Sequence, residues 1–138
     1  MKKTAEMFFA AALLAAAGCA SPAVPAEPLT DEGRGEAIVK SIADADYRAF
    51  AGAAGETDNA PDADAFAVSC RELTGKCGKV DSFRYLGSLE TPLLVNQLWA
   101  VRFVRRNGEG RTIAHEQLLQ LIFGREEHKM RLLGMRFI

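Results

Sequence analysis

The strongest constraint on the fold lies in the second half of the chain. From Lys79 onward, apolar and polar residues alternate with a period of two, and the segments 79–89, 93–106, 111–123 and 128–138 are rich in Val, Leu, Ile, Phe and Trp. Turn-forming stretches separate them, "SLETP", "NGEG" and "GREE". Such short connections leave room only for antiparallel neighbours, so a four-stranded meander is expected. A three-residue loop over 107–109 would set Phe103 opposite Ile113, Val101 opposite His115 and Val95 opposite Leu121, pairing apolar with apolar and bringing Arg102 diagonal to Glu116.

The residues before the meander carry a helical period. In 31–54, Ile38, Ile42, Ala45 and Ala49 form one stripe, which Val39, Ala43, Tyr47 and Phe50 widen, while Glu36, Lys40, Asp44 and Arg48 face water. "GETDNAPDAD" then has the composition of a loop. A second helix is expected from an Asp62 cap to Thr74, with Gly75 ending it and Phe66, Cys70 and Leu73 on its inner face. Two N-terminal helices on a curved four-stranded antiparallel meander make an α+β, cone-like plan over residues 31–138.

The first 30 residues read as targeting and tether. Lys2 and Lys3 precede an uncharged run from Met7 to Ala17, 11 residues long, whereas a bilayer-spanning helix needs roughly 20. Residues 1–18 are therefore expected to be a signal peptide, and "AAGC", Ala16 to Cys19, resembles the bacterial lipobox, with Ala16 where leucine is usual. That resemblance implies acylation of Cys19, and Ala20 in place of Asp implies delivery to the outer membrane, facing the periplasm. Ordinary cleavage near "VPA", Val24 to Ala26, is the alternative, and would leave a free periplasmic protein. Residues 19–30, rich in Ala and Pro, form the tether.

With Cys19 acylated, Cys70 and Cys77 remain as a pair in "CRELTGKC", and an oxidising compartment favours a disulfide between them. Two cysteines supply only half a tetrahedral zinc site, and neither His115 nor His128 lies at ligand spacing from them, so no metal site is expected. Removing Lys2, Lys3 and Glu6 from 17 basic and 18 acidic residues leaves 15 and 17, a net charge of −2 that provides no basic field for nucleic acid. No HExxH, P-loop or GxGxxG motif occurs, and no cofactor is expected.

The stretches "DADYRAF", "CGKVDSFRYLG", "LWAVRFVRRNGEGRTIAHEQLLQLIFG" and "KMRLLGMRFI" resemble the nuclear-transport-factor-2-like, cystatin-like superfamily, and in particular its small bacterial exported members of unassigned activity. The resemblance implies a pocket inside the cone. Tyr85, Gln97, Trp99, His115 and Gln117 share the phase that would line it, with Asp81 near the rim. Isomerase-type chemistry needs a carboxylate base near the cone centre opposite a proton donor, and no carboxylate lies mid-strand on this phase. No catalytic residue is therefore assigned, although a small isomerase or lyase using His115 and Tyr85 stands as the alternative reading.

The opposite phase carries Leu94, Leu98, Ala100, Val104, Leu118 and Ile122, where an antiparallel sheet usually presents polar residues. Leu98, Ala100, Leu118 and Ile122 are expected to form an interface, most simply a two-fold homodimer. The leading expectation is a non-enzymatic, lipid-anchored envelope module that binds a small apolar ligand or a protein partner.

Overall fold

The computed structural model describes residues 29–138; the expected signal peptide, Cys19 and the expected tether up to residue 28 lie outside them. The order is α1 (Asp31–Asp44), α2 (Tyr47–Ala54), α3 (Ala63–Cys77), β1 (Lys79–Glu90), β2 (Leu94–Arg106), β3 (Thr112–Glu126) and β4 (Lys129–Phe137). The strands form one antiparallel sheet in sequence order, so the fold is α+β, helices first and meander second.

Local capping divides the first helical region in two. Thr30 Oγ1 accepts from Gly33 N to start α1, and α1 ends at Ala45, which adopts the left-handed conformation at φ 51°. Asp46 N then donates to Ser41 O at 2.8 Å, while Asp46 Oδ1 accepts from Ala49 N and starts α2. The single helix expected over 31–54 is thus two. The break rotates the second half: Phe50, Ala53 and Ala54 enter the core, and Ala43, Ala45 and Ala49 of the expected stripe face solvent.

Asp62 caps α3 as expected, its Oδ1 accepting from Ala65 N at 2.8 Å. Gly75 does not end the helix. The stop comes at Gly78, whose φ of 93° suits a residue without Cβ, and a Cβ there would overlap the Val104 carbonyl. Cys70 and Cys77 consequently sit seven residues apart on one helix, about 10.5 Å along its axis. A disulfide needs Cα atoms roughly 5.5 Å apart, and both thiols are free and buried, so the expected bridge is not formed.

The sheet follows the expected segments closely, but its central register differs. Val101 pairs with Gln117, Phe103 with His115 and Val95 with Phe123, two residues beyond the expected alignment. The cause is a five-residue connection, 107–111, that Asn107 organises: its Oδ1 accepts from both Glu109 N and Arg111 N, and its own N donates to Arg111 O. A shift of two leaves every side chain on its expected face. Arg102 now lies directly opposite Glu116, yet it pairs with Asp81 at 3.5 Å while Glu116 pairs with Arg84 at 3.2 Å.

The helices cover the odd-numbered face of the sheet. Ile38, Val39, Phe50, Phe66, Cys70 and Cys77 pack with Val95, Trp99, Val101, Phe103, Leu119, Leu121 and Phe123 in one core. Among the described residues, no helix lies over the even-numbered face.

Candidate functional site

Of the five residues expected to line a cone pocket, Gln97 and Trp99 are buried in the core and Tyr85, His115 and Gln117 are half-buried. Gln97 is 0 % exposed: its Nε2 donates to Asp31 O at 2.6 Å and its Oε1 accepts from Trp99 Nε1 at 3.0 Å. Buried polar groups cost free energy unless paired, and this amide satisfies the indole N–H and a carbonyl of the first turn of α1 together. Gly35 makes the approach possible, because a Cβ there would overlap Gln97 Oε1. Gln97 and Trp99 are therefore a docking point for α1 rather than a pocket wall.

Tyr85 and Phe83 flank the Trp99 ring, with centroids 5.2 and 6.1 Å away. His115 stacks on Phe103 at 5.5 Å, and Gln117 Nε2 donates to Cys77 Sγ at 3.5 Å. Tyr85 pairs with Trp99 and His115 with Phe103, so the two candidate proton-transfer groups lie on opposite sides of β2 and four residues apart along it, about 13 Å by strand rise. They do not converge.

The clefts lie elsewhere. One of about 710 Å³ lies beside the 55–61 loop, lined by Glu56, Asp58 and Arg131 among others. A smaller apolar groove of about 290 Å³ runs between α3 and the end of β4, with Cys70, Leu73, Met135 and Phe137 on its walls. Burial pushes the Cys70 thiol above its ordinary pKa and keeps it neutral. Among the described residues, no group of three or more His, Cys, Asp and Glu could hold a metal ion.

The third cleft, about 450 Å³, lies on the uncovered face of the sheet. It exists because β1 carries a bulge between Tyr85 and Gly87 that puts Gly87, with no side chain, opposite Leu98. Leu86, Leu89, Leu98 and Ile138 wall the resulting trough. Across its floor, Arg136 Nε donates to Gln120 Oε1 at 2.6 Å and Gln120 Nε2 donates to Asn96 Oδ1 at 3.0 Å, linking β4, β3 and β2. The pairs Arg84–Glu116 and Arg102–Asp81 lie beyond it, toward the far end of the sheet.

Of the expected interface residues, Leu118 is exposed and Leu98 and Ile122 are half-buried. Ala100 is not available: its cross-strand neighbours are Arg84 and Leu118, and at 1 % exposure its methyl is shaded by these longer chains. Leu86, Leu133 and Ile138 extend the patch instead. Leu86 and Leu133 each occupy the extra position of a bulge, which a strict period of two does not anticipate. Neither the protein-family models nor the curated proteins contain a match to this chain.

Proposed function

We propose that the chain is a non-enzymatic, lipid-anchored module of the bacterial cell envelope that uses the uncovered face of its sheet as a binding surface. The observation that carries this reading is the contrast on β2 and β3: odd-numbered side chains fill a closed core, and even-numbered leucines and isoleucine lie open beside a trough. Contiguous exposed apolar surface marks interaction sites on soluble domains. The anchor rests on "AAGC" and the signal-like residues before it. The likeness to the nuclear-transport-factor-2-like superfamily rests on the sequence stretches that carry it.

A second copy of the chain is the simplest occupant. The leucines lie beside both signs of charge, Arg84, Arg102 and Arg136 with Asp81 and Glu116, so the surface complements itself across a two-fold axis. The trough supports a second reading, an apolar ligand seated between Leu86 and Leu98. The isomerase reading loses support because His115 and Tyr85 are held apart by β2.

Two experiments test the proposal. Cys19→Ala is expected to move the protein from the membrane fraction to the soluble periplasm; wild type already soluble would contradict the anchor. Mass spectrometry of the purified native protein distinguishes the occupants, since retained lipid or another apolar molecule favours the ligand and a mass of two copies favours the dimer.

A further inference from the structure

The most exposed leucines of the described chain are not spread over the sheet. Leu89 and Leu93 are 76 % and 70 % exposed and flank the turn between β1 and β2, with Pro92 between them. Turns are ordinarily polar, and this one has no polar side chain to spare for water beyond Thr91, whose Oγ1 already accepts from Leu94 N at 3.0 Å. Leu29, 54 % exposed, is the first described residue and leads directly into α1.

These leucines share one end of the molecule, because Arg125 ties them together. Arg125 Nη2 donates to Asp31 Oδ2 at 2.5 Å and to Glu90 Oε2 at 3.2 Å, and Arg125 N donates to Leu93 O at 2.8 Å. One residue thus holds the start of α1 and both sides of the β1–β2 turn. It also pairs with both carboxylates, Asp31 and Glu90, and the Asp31 hydrogen bond is the main reason its guanidinium is held above the ordinary pKa. The three exposed leucines stand beside Glu126 and Glu127 at the β3–β4 turn of the same end, Glu126 pairing with Arg131 at 3.5 Å.

We infer that this end, Leu29 with Leu89 and Leu93, is a membrane-contacting lip that dips into the bilayer carrying the lipid anchor. The inference rests on acylation of Cys19. Leu29 is the tenth residue after Cys19, a reach of at most about 35 Å, and the chain enters the domain at the lip. An anchored domain therefore meets the bilayer at high effective concentration and with this end foremost. Exposed apolar side chains at such a position settle into the interfacial zone, where a lipid chain and a second apolar contact act together. A two-fold dimer through the open sheet face is compatible with two lips on one membrane only if its axis runs along the strands, which places both β1–β2 turns at the same end.

The test uses the mature acylated protein, reconstituted in vesicles of phosphatidylethanolamine with a minor share of phosphatidylglycerol. Leu93→Cys and, at the opposite end of the sheet, Glu109→Cys are each labelled with bimane while the native thiols stay buried. Brominated lipids are expected to quench the label at 93 about threefold more than the label at 109, with a blue-shifted emission that returns to the aqueous value in protein without vesicles. Equal quenching at both sites, in protein that floats with the vesicles, overturns the lip and leaves the anchor standing. Protein that does not float contradicts the anchor and the lip together. A blue shift at 93 that persists without lipid means a second copy buries the turn, and also overturns the inference.

Discussion

Consecutive residues of β2 meet opposite fates. Val95, Gln97, Trp99, Val101 and Phe103 are sealed under the helices, whereas Leu94 and Leu98 on the reverse of the same strand have, among the described residues, only the sheet beside them. Hydrophobicity does not separate the two sets. What separates them is fit: α1 approaches the covered face because Gly35 leaves space for Gln97 and because Gln97 supplies the hydrogen bonds that the approach would otherwise break. On the open face, the small residues that permit close approach, Gly87 and Gly134, have open space or only a side-chain tip beside them. One face stabilises the fold, and the other is the one proposed above as a binding surface.

Substitutions across the two faces should therefore differ in size. Phe103→Ala removes a fully buried ring that packs against His115 and Phe137, and is expected to cost about 3–5 kcal/mol in urea unfolding. A loss below about 1 kcal/mol would mean the odd-numbered face is not the core. Gly35→Ala should cost about 1–3 kcal/mol by overpacking against Gln97, and a shorter side chain in Gln97→Ser should relieve part of that cost in the double variant. Strict additivity would show that the two residues do not touch.

A smaller effect follows from Cys70. Its folded pKa is raised by burial, so at alkaline pH the unfolded chain releases this proton before the folded one does. Stability from this source is complete below the ordinary thiol pKa and declines as pH rises through the raised value. Cys70→Ala should flatten that alkaline decline, which urea midpoints across the alkaline range will report. The smallest change is expected on the open face, where Leu118→Ser should shift the stability of the isolated monomer by no more than about 0.5 kcal/mol.

The period of two in residues 79–138 made the strands and their two faces legible, because alternation survives any even shift of register. The loop length was not legible: Asn107 spends its side chain on Glu109 N and Arg111 N, and "NG" alone does not distinguish that from a tighter turn. The helix break was hidden because Ala45 looks like one more member of the apolar stripe, while its left-handed backbone serves the Asp46 cap that follows. Reading Gly75 as the stop, when Gly78 provides it, made the Cys70–Cys77 pair look bridgeable. The pocket residues were misplaced for a related reason. Polar side chains on an inner phase suggest a cavity, and only the docking of α1 reveals that Gln97 is consumed in holding a helix.

The measurement closest to the central claim is sedimentation equilibrium of residues 20–138, wild type against Leu98→Lys, at tens of micromolar. Leu98 faces away from the helices beside the trough, so the substitution should leave the circular dichroism spectrum of the folded protein unchanged. The wild type is expected to show a mass that climbs toward two copies with concentration, and Leu98→Lys to stay at one. A wild-type protein that remains a single copy throughout this range would contradict the reading of the open face as a surface for a second chain.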